Sequence, residues 1–179
     1  MKKAFSVFAV FMLMLTAGCE KQNNTQSSPP TAPSSFTSNI KAVYGDIEMT
    51  ALLTQIAAEE FIIDFLTPEA LSPLSLEYKS GSCTVMYDGL KFETDINRFP
   101  QAEIGALLTQ AISDTVQGFE IQTTYSEGIW TYKGTGERGS FTITRDAETG
   151  AWLEFKADGA QLHIIFTDFN ETKPSKSSQ

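Results

Sequence analysis

Ile40-Lys41-Ala42-Val43-Tyr44, then Gly45-Asp46, then Ile47-Glu48-Met49-Thr50-Ala51-Leu52, is the stretch that decides the fold. Apolar and polar side chains largely alternate on both sides of a two-residue break. A period of two places alternate side chains on one face of a strand, and a glycine at such a break suits a tight turn, so the stretch predicts a β-hairpin. Phe61-Ile62-Ile63-Asp64-Phe65-Leu66 continues as a third strand, and its near-unbroken apolar run predicts cover on both faces. Leu74–Tyr78, Cys83–Tyr87 and Leu90–Phe92 read as further strands, separated by Ser80-Gly81-Ser82 and Asp88-Gly89. The last third reads as a meander of Ile129–Lys133, Ser140–Arg145, Ala151–Ala157 and Gln161–Phe169.

One long helix is predicted, Pro100–Gln117. Ile104, Leu107, Leu108, Ala111, Ile112 and Val116 draw a single apolar stripe, with Pro100 suited to the first turn and Gly118 to the exit. Pro68–Pro73 is expected to be a turn or a single helical turn. The expected fold class is therefore α+β: a curved, mostly antiparallel sheet of about eight strands, an incomplete barrel, covered by one long helix and a short helical turn.

The ends of the chain have a different character. Met1-Lys2-Lys3 precedes an apolar run from Ala4 to Leu15, too short for a span of ~20 residues, which predicts an export signal. The run ends in Leu15-Thr16-Ala17-Gly18-Cys19, small residues before a cysteine, as in bacterial lipoprotein signals. The expected organisation is a signal peptide over 1–18, an acylated Cys19 and disordered polar tether over 19–35, an α+β domain over 36–169 and a disordered tail over 170–179. Two or three acyl chains on Cys19 would anchor the protein to the outer side of the cell membrane, since each buried methylene contributes ~0.8 kcal/mol.

The 179 residues carry 13 Lys+Arg and 22 Asp+Glu, a formal charge of −9. Loss of residues 1–18 removes Lys2 and Lys3 and no acid, making the mature chain more acidic still. An acidic chain lacks the clustered cations that nucleic-acid backbones require, so nucleic acid is excluded as the expected partner. With Cys19 acylated, Cys83 is left as a lone thiol in a strand-like segment and reads as a small buried hydrophobe.

No constellation for catalysis emerges, and the expectation is a non-enzyme with no cofactor and no metal. His163 has no local partner, and Asp88, Glu93 and Asp95 read as a turn and solvated strand charges. Gly134-Thr135-Gly136-Glu137-Arg138-Gly139 has phosphate-loop letters, yet strand-like Ser140–Thr144 follows where that motif needs a helix. What stands out is an apolar surplus: 13 Phe with Trp130, Trp152 and five Tyr. A curved sheet partly covered by a helix could enclose an apolar cavity with these side chains, and the same composition also fits a filled core.

The order of features resembles the LolA-like and LppX-like lipoprotein carriers, especially uncharacterised lipoproteins of gut clostridia. That order is a lipoprotein signal, a tether, a first hairpin, Phe61–Leu66 leading into Thr67-Pro68-Glu69-Ala70-Leu71, Met86-Tyr87-Asp88-Gly89-Leu90-Lys91, and a helix opened by Phe99-Pro100. The resemblance implies an incomplete barrel whose concave sheet binds lipid or acyl chains. It does not carry over transfer between two membranes: the soluble carrier holds its lid with an early-strand arginine, whereas here no arginine precedes Arg98. The expected function is a membrane-anchored extracytoplasmic lipoprotein, anchored through diacylglycerol on Cys19 and binding a lipid or acyl ligand, with Phe61, Ile63, Phe65, Leu107, Leu108, Ile112, Trp130 and Phe155 lining the cavity. The alternative is an envelope interaction or scaffold module with a filled core and no small ligand.

Overall fold

The computed structural model describes residues 28–57, 59–94, 100–117, 121–136 and 139–172, without the side chains of 100–102, 116 and 117. The predicted signal segment and Cys19 lie outside the described residues, as do Asp95, Arg98, Phe99, Gly118, Glu137 and Arg138.

The opening hairpin forms as read. In β1 (Phe36–Tyr44), Phe36, Ser38, Ile40 and Ala42 are buried while Asn39, Lys41 and Val43 are exposed; in β2 (Ile47–Ala57), Met49, Ala51, Leu53 and Gln55 are buried. Ile40 lies opposite Ala51 and Ala42 opposite Met49, so both strands turn one apolar row to the same side. Gly45 takes a positive φ of 57°, the conformation that lets so short a connection reverse the chain.

The meander continues through β3 (Glu60–Thr67), β4 (Leu74–Lys79), β5 (Ser82–Tyr87) and β6 (Leu90–Thr94), then passes through α1 (Pro100–Gln117). It resumes with β7 (Gln122–Ser126), β8 (Ile129–Gly136), β9 (Gly139–Asp146), β10 (Trp152–Ala157) and β11 (Leu162–Glu171). All eleven strands make one sheet of order β6-β5-β4-β3-β2-β1-β11-β10-β9-β8-β7, antiparallel at every junction. The first and last strands meet at its centre. Its free edges are β6 and β7, and α1 lies between them in the chain.

This architecture corrects the α+β expectation. The fold is mostly one large open antiparallel sheet of eleven strands, with one α-helix among the described residues. Pro68–Pro73 is no helical turn but a series of tight turns, closed by Leu71 N–H to Pro68 O (2.8 Å) and Leu74 N–H to Leu71 O (2.7 Å). The strands also run longer than apolar patterning shows. Thr, Ser, Asn and Gln fill the outer turns of the ladder, as in the Gln122-Thr-Thr-Tyr-Ser126 strand, because backbone pairing needs no apolar side chain and β-branched Thr fits the pleat. Nor is β3 covered on both faces: Phe61, Ile63 and Phe65 are buried, while Leu66 is 52% exposed.

The helical stripe is as read over its described part. Ile104, Leu107, Leu108, Ala111 and Ile112 are all buried, with α1 packed chiefly on β8 and β4. Two glycines permit that closeness. A Cβ at Gly105 would stand 2.0 Å from the ring of Tyr78 on β4, and one at Gly136 on β8 would stand 2.0 Å from the Gln110 amide. The Tyr44 hydroxyl donates to Glu103 Oε2 at 2.7 Å, tying the helix's first turn to β1.

Gly105→Ala reports on this packing. In an exposed helix the change would stabilise by up to about 1 kcal/mol; here overpacking against Tyr78 is expected to cost about 1–3 kcal/mol, read as a lower urea midpoint. A second prediction concerns the β9–β10 turn, where Asp146 Oδ1 accepts from the Thr149 N–H and hydroxyl (2.7 Å each) and the Glu148 N–H (3.1 Å). The Thr149 hydrogen bonds hold this carboxyl below its ordinary range. Its contribution is therefore present above the unfolded carboxylate pKa of about 3.9 and lost as pH falls through the lower folded value. Urea midpoints measured down the acid limb should fall less steeply in Asp146→Ala than in the unsubstituted chain.

Candidate functional site

The sheet has one buried and one wet face, and the buried, concave face carries α1. All eight residues expected to line a cavity lie there in one core cluster: Phe61, Ile63 and Phe65 on β3, Leu107, Leu108 and Ile112 on α1, Trp130 on β8 and Phe155 on β10. None is more than 5% exposed. They cover one another: the helix stripe packs on this face, and the Phe61 ring sits 4.9 Å from that of Tyr78. Cys83 is fully buried in the same cluster, and burial pushes its thiol pKa up, away from thiolate reactivity.

The uncovered part of this face lies at the edge. Leu74 on β4 opposes Tyr87, Tyr87 opposes Leu90, and Val85 opposes Phe92. Directly paired residues point to the same side, so Tyr87, Leu90 and Phe92 share the concave side with buried Leu74 and Val85. They are nevertheless 44%, 68% and 48% exposed. At the other edge Tyr125, 47% exposed, opposes Trp130, its ring tilted against the indole at 5.0 Å between centroids. The strands extend beyond the helix, leaving an apolar shelf on the side where the core lies. Strand parity in the sequence assigns these residues to a face, but the narrowness of the cover is not visible there.

A second feature was missed altogether. Arg145 on β9 is 2% exposed, and the register puts Trp130 of β8 on one side of it and Trp152 of β10 on the other. The guanidinium lies 4.7 Å from the Trp152 ring and 6.0 Å from that of Tyr132. Its Nε donates to Gly150 O, Nη1 to Pro30 O and Nη2 to Thr31 O, each at 3.0 Å. Gly150 has a φ of +74°, and a Cβ there would stand 3.0 Å from Arg145 Nη2, so the turn is shaped around the arginine. Pro30 and Thr31 belong to the stretch expected to be a tether; Gln55 also donates to Ser34 O at 3.4 Å, and Thr172 N–H to Ser35 O at 3.0 Å. The inward parity of Phe141, Ile143 and Arg145 was the available signal.

The polar groups around Arg145 are not all satisfied. Trp130 Nε1, Trp152 Nε1, Tyr132 Oη and Gln55 Oε1 are buried with no hydrogen-bond partner. Each such group costs about 1–3 kcal/mol. Burial lowers the Arg145 pKa; the Tyr132 hydroxyl attracts the cation and partly offsets this, without the geometry of a hydrogen bond.

The outer face holds a small charged group. His163 Nε2 and Lys156 Nζ each lie 2.7 Å from Glu154 Oε1. Burial alone would raise the Glu154 pKa, but the hydrogen bonds from Lys156 and His163 outweigh it and hold it low. Among the described residues no group of three His, Cys, Asp or Glu side chains could hold a metal ion. Asp88 occupies a turn with φ of 47°, Glu93 is exposed on β6, and Asp95 lies outside the described residues. The Gly134–Gly139 segment joins β8 to β9 as a hairpin, Gly136 pairing with Gly139.

No family model matches the chain, and no curated protein matches it. Among solved structures, it is similar to an uncharacterized conserved protein from Thermus thermophilus, with a TM-score of 0.53 at 10% identity over 82% of this chain and 83% of that one. Two looser overlaps are a LolA superfamily protein from Nitrosomonas europaea and a DUF1329 family protein from Desulfovibrio piger. The first has a TM-score of 0.40 at 8% identity, over 81% of this chain and 88% of that one. The second has a TM-score of 0.39 at 8% identity, over 99% and 94%. Both overlaps are too loose to carry an argument; the Thermus likeness establishes a shared fold.

Proposed function

We propose that this chain is a membrane-anchored extracytoplasmic lipoprotein, non-enzymatic, that holds a lipid or other apolar chain against the uncovered part of its concave face. The observation that carries the reading is the shelf of Tyr87, Leu90 and Phe92, on the core side of the sheet yet 44–68% exposed. Full burial of side chains of this size contributes roughly 1.5–3 kcal/mol each, so covering what remains exposed would supply several kcal/mol to a bound acyl chain. Buried Leu74 and Val85 stand beside the shelf on the same side of the sheet and would back a bound chain. The order of sequence features that resembles the LolA-like and LppX-like carriers points the same way, and Cys19 after Leu15-Thr16-Ala17-Gly18 supplies the anchor in this reading.

The free edges β6 and β7 favour a second reading, in which an envelope partner adds a strand there and no small ligand is held. Native mass spectrometry with organic extraction, on the full chain purified from a lipid-rich host, separates the two. A co-purifying lipid is expected, and Phe92→Asp, at a site exposed enough to leave the fold intact, should lose it. A mass without ligand in repeated preparations, or lipid retained by folded Phe92→Asp, would favour strand addition. The anchor is tested separately: Cys19→Ser should move the chain from the membrane fraction to the soluble one, and a variant still in the membrane would refute lipidation there.

A further inference from the structure

We propose that the Trp130-Arg145-Trp152 row is a head-group subsite for an anionic amphiphile, one bearing a carboxylate or a phosphate monoester, whose oxygens replace the carbonyls of Pro30 and Thr31 on the guanidinium. The proposal rests on the reading that this face takes an apolar ligand and names the ligand class for its β7 end, where Tyr125 is exposed, the β5–β6 shelf being the other end of the strand order.

Three observations converge on the row. The first is charge: Arg145 is buried, and its hydrogen bonds go to neutral carbonyls, with no carboxylate paired to it among the described residues. Ion pairs elsewhere in the molecule lie at the surface. The second is geometry: two consecutive residues present one carbonyl to each terminal nitrogen at 3.0 Å, the two-pronged arrangement in which a guanidinium takes the oxygens of a carboxylate or phosphate. The third is the surrounding chemistry. Both flanking indoles have an unpartnered buried N–H, and the Tyr132 hydroxyl is unpartnered as well. A buried cation whose neighbours carry unused donors suits an oxyanion, which offers several acceptor lone pairs at once.

The covering segment is suited to being displaced. Residues 28–34 form no strand or helix, Ser28, Pro29 and Thr31 are exposed, and the hold on Pro30 and Thr31 is through Arg145 itself. Tyr125, tilted against Trp130, continues the row to the free edge, giving a tail an apolar way out along the concave side.

Trp130 and Trp152 are the chain's two tryptophans, so fluorescence excited at the long-wavelength edge, where tyrosine does not absorb, reads this row. The purified full chain is titrated, below micelle formation, with dodecyl phosphate, dodecanoate and dodecanol. At least one anion is expected to shift the emission saturably and to bind about tenfold or more tighter than dodecanol; which anion is tighter identifies the head. Arg145→Gln, shown folded by circular dichroism, should abolish that preference. Deleting residues 28–33 should strengthen anion binding by removing the competing carbonyls, an effect that loss of a purely structural strap would not produce. Dodecanol binding as tightly as both anions, or an anion preference unchanged by the deletion and by folded Arg145→Gln, would overturn the subsite and leave the apolar-ligand reading intact. A saturable shift with none of the three amphiphiles would overturn the subsite, and the shelf reading is then judged by the lipid extraction and Phe92→Asp.

Discussion

The pairing of β1 with β11 is the constraint on which the rest of the molecule depends. Every other strand junction is a local hairpin whose closure costs little chain entropy, whereas this one joins groups such as Ser38 and Thr167, 129 residues apart. The Ser38 hydroxyl, buried at a shift in the ladder's register, donates to Thr167 O at 2.7 Å and so satisfies the backbone where regular pairing lapses. Without this ladder there would be two separate meanders, β1–β6 and β7–β11, each with its apolar rows facing water. With it, the first and last strands become the middle of the sheet, and β6 and β7 are forced to its margins.

That placement determines what the helix can do. The connection between the margins has to return across the concave face, and α1 is 18 residues, about 27 Å at 1.5 Å per residue. Such a rod packs chiefly on β4 and β8, where Gly105 and Gly136 let it approach closely, and leaves the β5–β6 side bare. The exposed Tyr87, Leu90 and Phe92 follow from a sheet too wide for its lid. The margins carry polar and charged groups, Lys91 and Glu93 on β6 and a Thr pair on β7, which discourage indiscriminate edge pairing.

The buried arginine follows from the same long-range closure. β9 places Arg145 on the inward row, where it meets Trp130 and Trp152 from the neighbouring strands and carbonyls from the segment ahead of β1. Removing a guanidinium from water is costly unless its donors are used. Carbonyls from two distant pieces of chain, residues 30–31 and Gly150, meet that need here without an opposite charge.

Much of the local structure was legible in the residues. The Ile40–Leu52 hairpin, the stripe from Ile104 to Ile112 and the burial of Phe61, Trp130 and Phe155 all follow from which side chains recur on one face, a property of neighbours along the chain. The polar strand Gln122–Ser126, the extra length of β1 and β2 and the exposure of Leu66 were not legible. Backbone hydrogen bonding extends strands regardless of side-chain polarity, and exposure depends on what lies across the sheet. Sequence by itself determined the facing of each strand and helix, because periodicity is written in consecutive residues. Tertiary structure decided which strands became edges, how far the helix reached and what surrounded Arg145, because those depend on contacts between separate elements, some more than a hundred positions apart, whose pairing leaves no local mark.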